Sequence, residues 1–492
     1  MDIKVIGAGF GGLSAAALLA KEGHKVQVFE KNEMVGGRAS YHSDKGFTFD
    51  MGPSWYLMPD VFERFYANFK KKPEDLFYLY RLDPSYRIFF DGGKVIDIHA
   101  ELEKNFKLFD ELETNGADKL RRYLASAKEI YELAVRDLLY RDYRRFTDLL
   151  DTKLITQGRK VPVFKSLESF VNEHFQSDEA RKIVEYSIGF LGGSPKNTPA
   201  LYHIMSHIDF NLGVWYPAGG MRKVASTVAD LAQSFGAEIR LNEEVERINV
   251  KDRKVEGITT IRDTYRTDSV VVNADYAHSE LKMLKPEYRT YDERYWEKRT
   301  LAPSAFVAYV GVDTQFKELA HHTLFLEKDW AEGFDVIFDK SKAAWPENPS
   351  YYVNVPSRTD LTAAPKGCDA LFILVPLSSY IDDTEALRDK FYLKILKRLG
   401  STIGDDIIGH VVTKRIFCIK DFAARYNAFK GTALGLTHTI RQTALFRPSH
   451  SSKKVKNLFY TGQYCHPGIG VPMTLISSTI VANEIAQSLG RK

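Results

Sequence analysis

The sequence predicts an α/β protein in which a dinucleotide-binding unit is joined to a second domain of mixed strands and helices. Three observations predict it. The chain opens on a strand, a glycine loop and an Ala/Leu-rich helix, DIKVIGAGFGGLSAAALLA. It repeats a glycine-rich turn before a helix at PAGGMRKVA, and a strand, glycine loop and helix at NLFYTGQYCHPGIGVPMTLISS. Between residues 304 and 446, the strand candidates AFVAYVGV, YYVNV and ALFILVPL accompany a helix candidate over 384–399. That is the pattern of a mixed sheet with helices on one side.

The first element is the strand over residues 3–6, β-branched and apolar. Gly7, Gly9 and Gly12 follow as GxGxxG. Between a strand and a helix this spacing has a physical meaning: Gly7 for the tight turn, Gly9 for close approach of a pyrophosphate, Gly12 for close helix–strand packing. The phosphates would rest on the helix N-terminus. A second strand over 25–29 ends at Glu30, 18 positions beyond Gly12, where an acid can grip a ribose hydroxyl. NEMVGGRAS then brings Gly36, Gly37 and Arg38, a second bare stretch of backbone beside a cation able to meet a phosphate or a ring edge. FTFDMGPSWY is a further short strand leading to Gly52 and Pro53.

Residues 57–145 read as mainly helical after a hairpin at RIFFDGGKVIDI, turned by Gly92 and Gly93. Residues 141–165 carry seven Lys/Arg and three Asp among Tyr, Phe, Leu, Ile and Val. Such a stretch is either a solvated helix and loop or a surface for anionic lipid headgroups. A helix over 222–235 is followed by a strand over 239–241 returning to the first sheet, with Val245 and Ile248 on the next strand. Residues 268–278, DSVVVNADYAH, read as one strand.

Composition bounds the partners. The 492 residues carry a net charge of +4, too weak a basic balance to expect nucleic acid. Cys368, Cys418 and Cys465 are scattered, with neither metal spacing nor a disulfide framework, which fits a reducing cytosol. No signal peptide, no apolar run of membrane-spanning length, no metal-ligand cluster, no nucleophile elbow and no Walker loop is read. His321 and His322 are expected at the surface or in packing rather than as ligands.

Taken together, the glycine loop, the GGR stretch, DMGPSWY, WYPAGG, RYNAFKGTALG and FRP resemble the flavin-dependent amine oxidase and carotenoid desaturase superfamily. The C-terminal frame of Asn457, Phe459, Gly462, His466-Pro467-Gly468, Gly470, Val471 and Ser477 resembles bacterial-type phytoene desaturases. The resemblance implies non-covalently bound FAD. It implies a cofactor site drawn from Gly7, Gly9, Phe10, Gly11, Gly12, Glu30, Lys31, Gly36, Gly37, Arg38, Gly52, Pro53 and Ser54. It adds Val245, whose backbone meets the adenine, and Asn273, close to the nucleotide. It also implies Gly462 and Gln463 at the ribityl and phosphate part, and Gly470, Val471, Pro472 and Met473 where a helix N-terminus aims at the flavin ring.

By the same resemblance, the Rossmann-like FAD-binding domain is assembled from separated segments, 1–85, 215–295 and 447–492. A mixed-sheet and helical substrate domain takes 86–214 and 296–446, with a membrane-associating helical part near 100–205. The implied function is a carotenoid desaturase of the phytoene type, passing hydride to flavin. The alternative is a specialised 3,4-desaturase of a 1-hydroxylated or monocyclic carotenoid. A reading of another class is a non-enzymatic isoprenoid-binding protein. The implied partners are a carotenoid, a membrane surface met peripherally at its inner, cytoplasmic face, and oxygen or a quinone as electron acceptor. No catalytic acid or base is named. Gln463, Tyr464, Cys465 and Ile469 depart from the family pattern by their bulk. Cys465 is expected as a packed side chain, with covalent flavin attachment as the alternative. His466 is expected either to touch flavin or substrate or to shape the loop.

Overall fold

A computed structural model of the chain describes residues 1–143 and 165–488. A five-stranded parallel sheet carries the glycine loop. Its order is Leu458–Tyr460, Ser269–Val272, Asp2–Ile6, Lys25–Phe29, Glu238–Arg240, so neighbouring strands come from four distant stretches of chain. The inner strands Ser269–Val272, Asp2–Ile6 and Lys25–Phe29 are buried along nearly all their length, as a parallel sheet covered by helices requires, while the edge strand Glu238–Arg240 is partly exposed. The helix Phe10–Lys21 is buried at every position except Lys21. It lies between the helices Met221–Ser234 and Val471–Ser488, which explains why its sequence is apolar all round.

Val245 and Ile248 stand on the next strand as expected, Val245–Lys251, which forms a separate antiparallel sheet with Lys254–Thr260 and Thr264–Arg266. One sequence expectation is corrected here. Residues 268–278 are not one strand: Ser269–Val272 ends before Asn273, and Tyr276–His278 is helical. The cause is local. The Asp275 carboxylate accepts the His278 amide and caps the helical turn.

The second sheet has seven strands, in the order Val411–Phe417, Ser304–Val312, Asp369–Leu377, Tyr351–Asn354, His322–Leu326, Tyr86–Phe90, Val95–Ile98. All pairs are antiparallel except His322–Leu326 with Tyr86–Phe90, which makes the sheet mixed. Strand alternation gives it two different faces. Phe306, Ala308, Val310, Ile373 and Val375 pack on Phe391, Ile395 and Leu399 of the helix Glu385–Ile403. Ala305, Val307, Leu324, Leu326, Phe372 and Leu374 face the other way, into a cavity. Helices Leu102–Leu112 and Gly116–Leu133 join the core on that side through Phe109, Leu120 and Tyr123.

No helix among the described residues is long and apolar enough to cross a membrane. The basic and apolar stretch at 141–165 lies outside the described residues but for its ends, Arg141, Asp142, Tyr143 and Lys165.

Candidate cofactor and substrate site

One continuous cavity of about 1000 Å³ runs from the glycine loop to the inner face of the seven-stranded sheet. It is lined at one end by Gly7, Gly9, Phe10, Gly11, Glu30, Lys31, Gly36, Gly37 and Arg38, and further along by Gly52, Pro53, Ser54, Val245 and Asn273. Gly462, Gln463, Gly470, Val471, Pro472 and Met473 complete this part of the wall. Of the residues expected at a dinucleotide, Gly12 alone stands behind the wall. A Cβ there would fall 2.0 Å from the Gly7 carbonyl oxygen, so Gly12 lets the helix approach the strand.

The donors and acceptors suit a dinucleotide. Gly9 is the N-cap of Phe10–Lys21, and no side chain caps that terminus, which leaves its amide end open to an anion. Glu30 is buried where the second strand ends; its carboxylate accepts the Ala8 amide at 2.8 Å and the Asn32 amide at 2.9 Å. Lys31 is tied to the Ala424 carbonyl at 2.8 Å. Arg38 donates Nε to the Ala433 carbonyl at 2.8 Å and lies over the Tyr426 ring. Its Nη2 is buried with no protein partner, as is Nε2 of Gln463. Buried donors without acceptors cost stability unless a ligand meets them. Replacing Arg38 by Met is therefore expected to weaken FAD binding about 10- to 100-fold, the worth of a charge-assisted hydrogen bond. Quenching of flavin fluorescence on titration measures it, and an affinity within about twofold of wild type would refute the role.

The loop GQYCHPG is shaped by one buried cation. Arg447 donates to the carbonyls of Tyr464, Cys465, Gln442, Leu436 and Gln463, the last at 2.7 Å. Ser477 Oγ accepts the Gly462 amide at 3.0 Å and ties the loop to the helix that follows it. At Gly468 (φ +129°) a Cβ would meet the His438 ring at 2.4 Å. His438 Nε2 accepts the Ile469 amide at 3.2 Å, and its Nδ1 faces the Tyr202 hydroxyl at 2.5 Å. Burial holds the His438 imidazole well below its usual proton affinity.

Cys465 is fully buried, bonds through Sγ to the Tyr460 carbonyl, and is not part of the cavity wall. His466 faces away as well: Nε2 donates to the Leu139 carbonyl at 3.1 Å, and burial pushes its pKa down to about 3. Tyr464 reaches Asp275 Oδ2 at 2.6 Å. Of the bulky residues in this loop Cys465 is internal packing, while Gln463, Tyr464 and Ile469 stand at the wall.

Beyond Ser54 the cavity becomes an aromatic gallery. The Trp55 ring stacks on His322 with centroids 4.1 Å apart, and Tyr86, Tyr186, Phe190 and Tyr352 surround it. Ser54 Oγ, Tyr352 OH and His322 Nδ1 form a chain with steps of 2.8 and 2.6 Å. His321 and His322 are therefore packing residues, inside the molecule rather than at its surface. Behind the gallery, Asp209 accepts from Tyr86 at 2.7 Å and from Tyr186 at 3.0 Å. Burial pushes its pKa up to about 7 against the pull of the two phenols. Sequence reading did not name Tyr202, His438, Tyr186 or Asp209. Trp55 and Arg447 lie inside motifs that it quoted, PSWY and FRP, without a role.

A family model described as flavin containing amine oxidoreductase matches residues 10–486. The chain is 44% identical to a carotenoid 3,4-desaturase of Haloarcula japonica, over 99% of this chain and 98% of that protein. It is 32% identical to a zeta-carotene-forming phytoene desaturase of Myxococcus xanthus, over 98% and 93% respectively. Among solved structures, an oxidoreductase from Methanosarcina mazei superposes with a TM-score of 0.63 at 17% identity, covering 98% of this chain and all of that one, a likeness of fold.

Proposed function

Since the chain belongs to the flavin containing amine oxidoreductase family, we propose that it is an FAD-dependent carotenoid desaturase that forms the 3,4 double bond of its substrate. The observation that carries the reading is the full-length likeness of 44% to a 3,4-desaturase, against 32% to a phytoene desaturase. It favours the specialised alternative over the phytoene-type step. The cavity supports a long apolar substrate: beyond the glycine loop its wall is the inner face of a sheet and an aromatic gallery. The open helix terminus, Glu30 and the unpartnered Arg38 and Gln463 donors support a bound dinucleotide and weigh against an isoprenoid-binding protein without one.

In this reading Gly7 to Gly11 and the N-terminus of Phe10–Lys21 would hold the pyrophosphate, Glu30 the adenosine ribose, and Arg38 and Gln463 the flavin half. FAD, when bound, supplies a two-electron acceptor for hydride. The chain supplies the rest. The apolar walls Val307, Leu324, Phe372 and Leu374 exclude water and hold an extended polyene in one register. The N-terminus of Val471–Ser488, beside Gly470 at the cavity wall, carries partial positive charge that would suit a reduced, anionic flavin. Hydride loss from an allylic carbon leaves a delocalised cation, and the neighbouring carbon then releases a proton. Because such a substrate dissolves in bilayers, the protein meets a membrane surface peripherally, and oxygen or a quinone takes the electrons onward.

The test loads vesicles separately with phytoene, γ-carotene and a 1-hydroxycarotenoid, and adds the FAD-loaded protein. Loss of two hydrogens with a red shift from the later carotenoids, phytoene remaining inert, is the expected result. Lycopene-like product from phytoene would move the activity to the early step, and no product from any of them would reject the desaturase reading. Sedimentation with the vesicles reads the membrane contact in the same samples.

A further inference from the structure

The released proton needs an acceptor, and the family likeness supplies none. The gallery does. Tyr186 lines the cavity edge-on to Phe190 and against Trp55, next in sequence to the Ser54 that stands at the cofactor end. Its hydroxyl donates to Oδ2 of Asp209 at 3.0 Å and lies beside the Tyr86 hydroxyl, which donates to the same oxygen. Asp209 sits in the middle of the π-helical turn His207–Leu212, a backbone irregularity that recurs at functional sites. Its Oδ1 is buried without a hydrogen-bond partner. A carboxylate held in an aromatic wall by phenols, with no cation bonded to it, costs stability and calls for a use.

Resting on the desaturase reading, we propose that Tyr186 and Asp209 form a proton relay that takes up the proton lost from the substrate carbon. The C–H bond breaks and its electron pair becomes the new C=C π bond. Tyr186 Oη receives the proton while its own O–H proton passes to Asp209 Oδ2. Tyr186 ends as the same neutral phenol and Asp209 as a neutral carboxylic acid; the other hydrogen has already left as hydride to the flavin. Tyr86, donating to the same Oδ2 from the strand Tyr86–Phe90, stabilises the carboxylate before transfer. The groups facing Asp209 are these two phenols, with Tyr352 next to Tyr186; burial and the phenols set its proton affinity. A pKa near 7 suits a base that must be ionised before each turnover and neutral after it.

The ionised form is present above that pKa, so the anaerobic rate of flavin reduction by carotenoid rises with pH through about 7 and then levels. In Asp209→Asn the rate falls about a hundredfold at alkaline pH and the pH dependence disappears. Tyr186→Phe, which leaves the carboxyl but removes the conduit, gives a similar fall. Infrared difference spectra of the FAD-loaded protein show carboxylic acid C=O bands growing as pH is lowered through 7; Glu185, Asp50 and Glu327 also contribute in this range, and Asp209→Asn loses one component while theirs remain. Rates and pH profiles in both variants that match wild type would overturn the relay while the desaturase reading stands. A wild-type protein that oxidises no carotenoid at any pH would instead overturn that reading, and the relay with it.

Discussion

A Gly12→Val protein is expected to purify colourless. The valine Cβ would fall 2.0 Å from the Gly7 carbonyl oxygen and 3.1 Å from Asn273 Cβ. The first obstacle is backbone, so no rotamer relieves it. The helix Phe10–Lys21 must move away from the strand by an ångström or more, and the amides of its first turn move with it. Misplacement of about 1 Å costs roughly a hundredfold wherever alignment matters. Overpacking of this kind also removes about 1–3 kcal/mol of stability. The measurement is flavin absorbance per mole of protein, read beside a thermal melt. A yellow protein with full flavin content would refute the packing role of Gly12. A colourless protein that still melts cooperatively is the expected outcome, since the seven-stranded sheet and its helix form a separate core.

Arg447→Met is expected to lose more than the loop. Met keeps the length and removes every donor, leaving the carbonyls of Tyr464, Cys465, Gln442, Leu436 and Gln463 without the guanidinium that gathers them. An unsatisfied buried carbonyl costs about 1–3 kcal/mol, so a loss on the order of 5 kcal/mol is expected even if part of the loop re-forms its bonds. The melting temperature should fall by about 5 °C, since a chain of 492 residues unfolds with an entropy of about 1 kcal/mol/K. Arg447→Lys should lie between, because an ammonium cannot serve both sides of a planar fork. A melting temperature of Arg447→Met within about a degree of wild type would show that the loop holds itself.

The N-terminal half of the candidate site is legible in the sequence because its physics is local. A strand, glycines at fixed offsets, a helix and an acid after the second strand are all set within thirty residues, and Lys25–Phe29 falls where the alternation puts it. The Tyr86–Phe90 hairpin is equally legible; its parallel pairing with His322–Leu326 is not, because no local period records a partner more than two hundred residues away. His322–Leu326 itself, HTLFL, hides among polar residues: His322 is there to stack on Trp55 and bond Tyr352, not to mark a strand. Residues 268–278 look like one strand because SVVV dominates the pattern, yet the Asp275 cap ends it. The polar groups of the gallery escaped for the same reason. Tyr202 and His438 meet across 236 positions, and Asp209 is an ordinary acid in IDFNL until folding places two tyrosines on one of its oxygens.

The order of strands in the parallel sheet also governs when the protein can acquire its cofactor. The glycine loop is translated more than four hundred residues before its edge neighbour Leu458–Tyr460, the Gly462 loop and the helix Val471–Ser488. A nascent chain several hundred residues long therefore carries a phosphate-binding turn whose cavity still lacks one wall. Dinucleotide retention would wait until those later segments have been made and folded against the glycine loop.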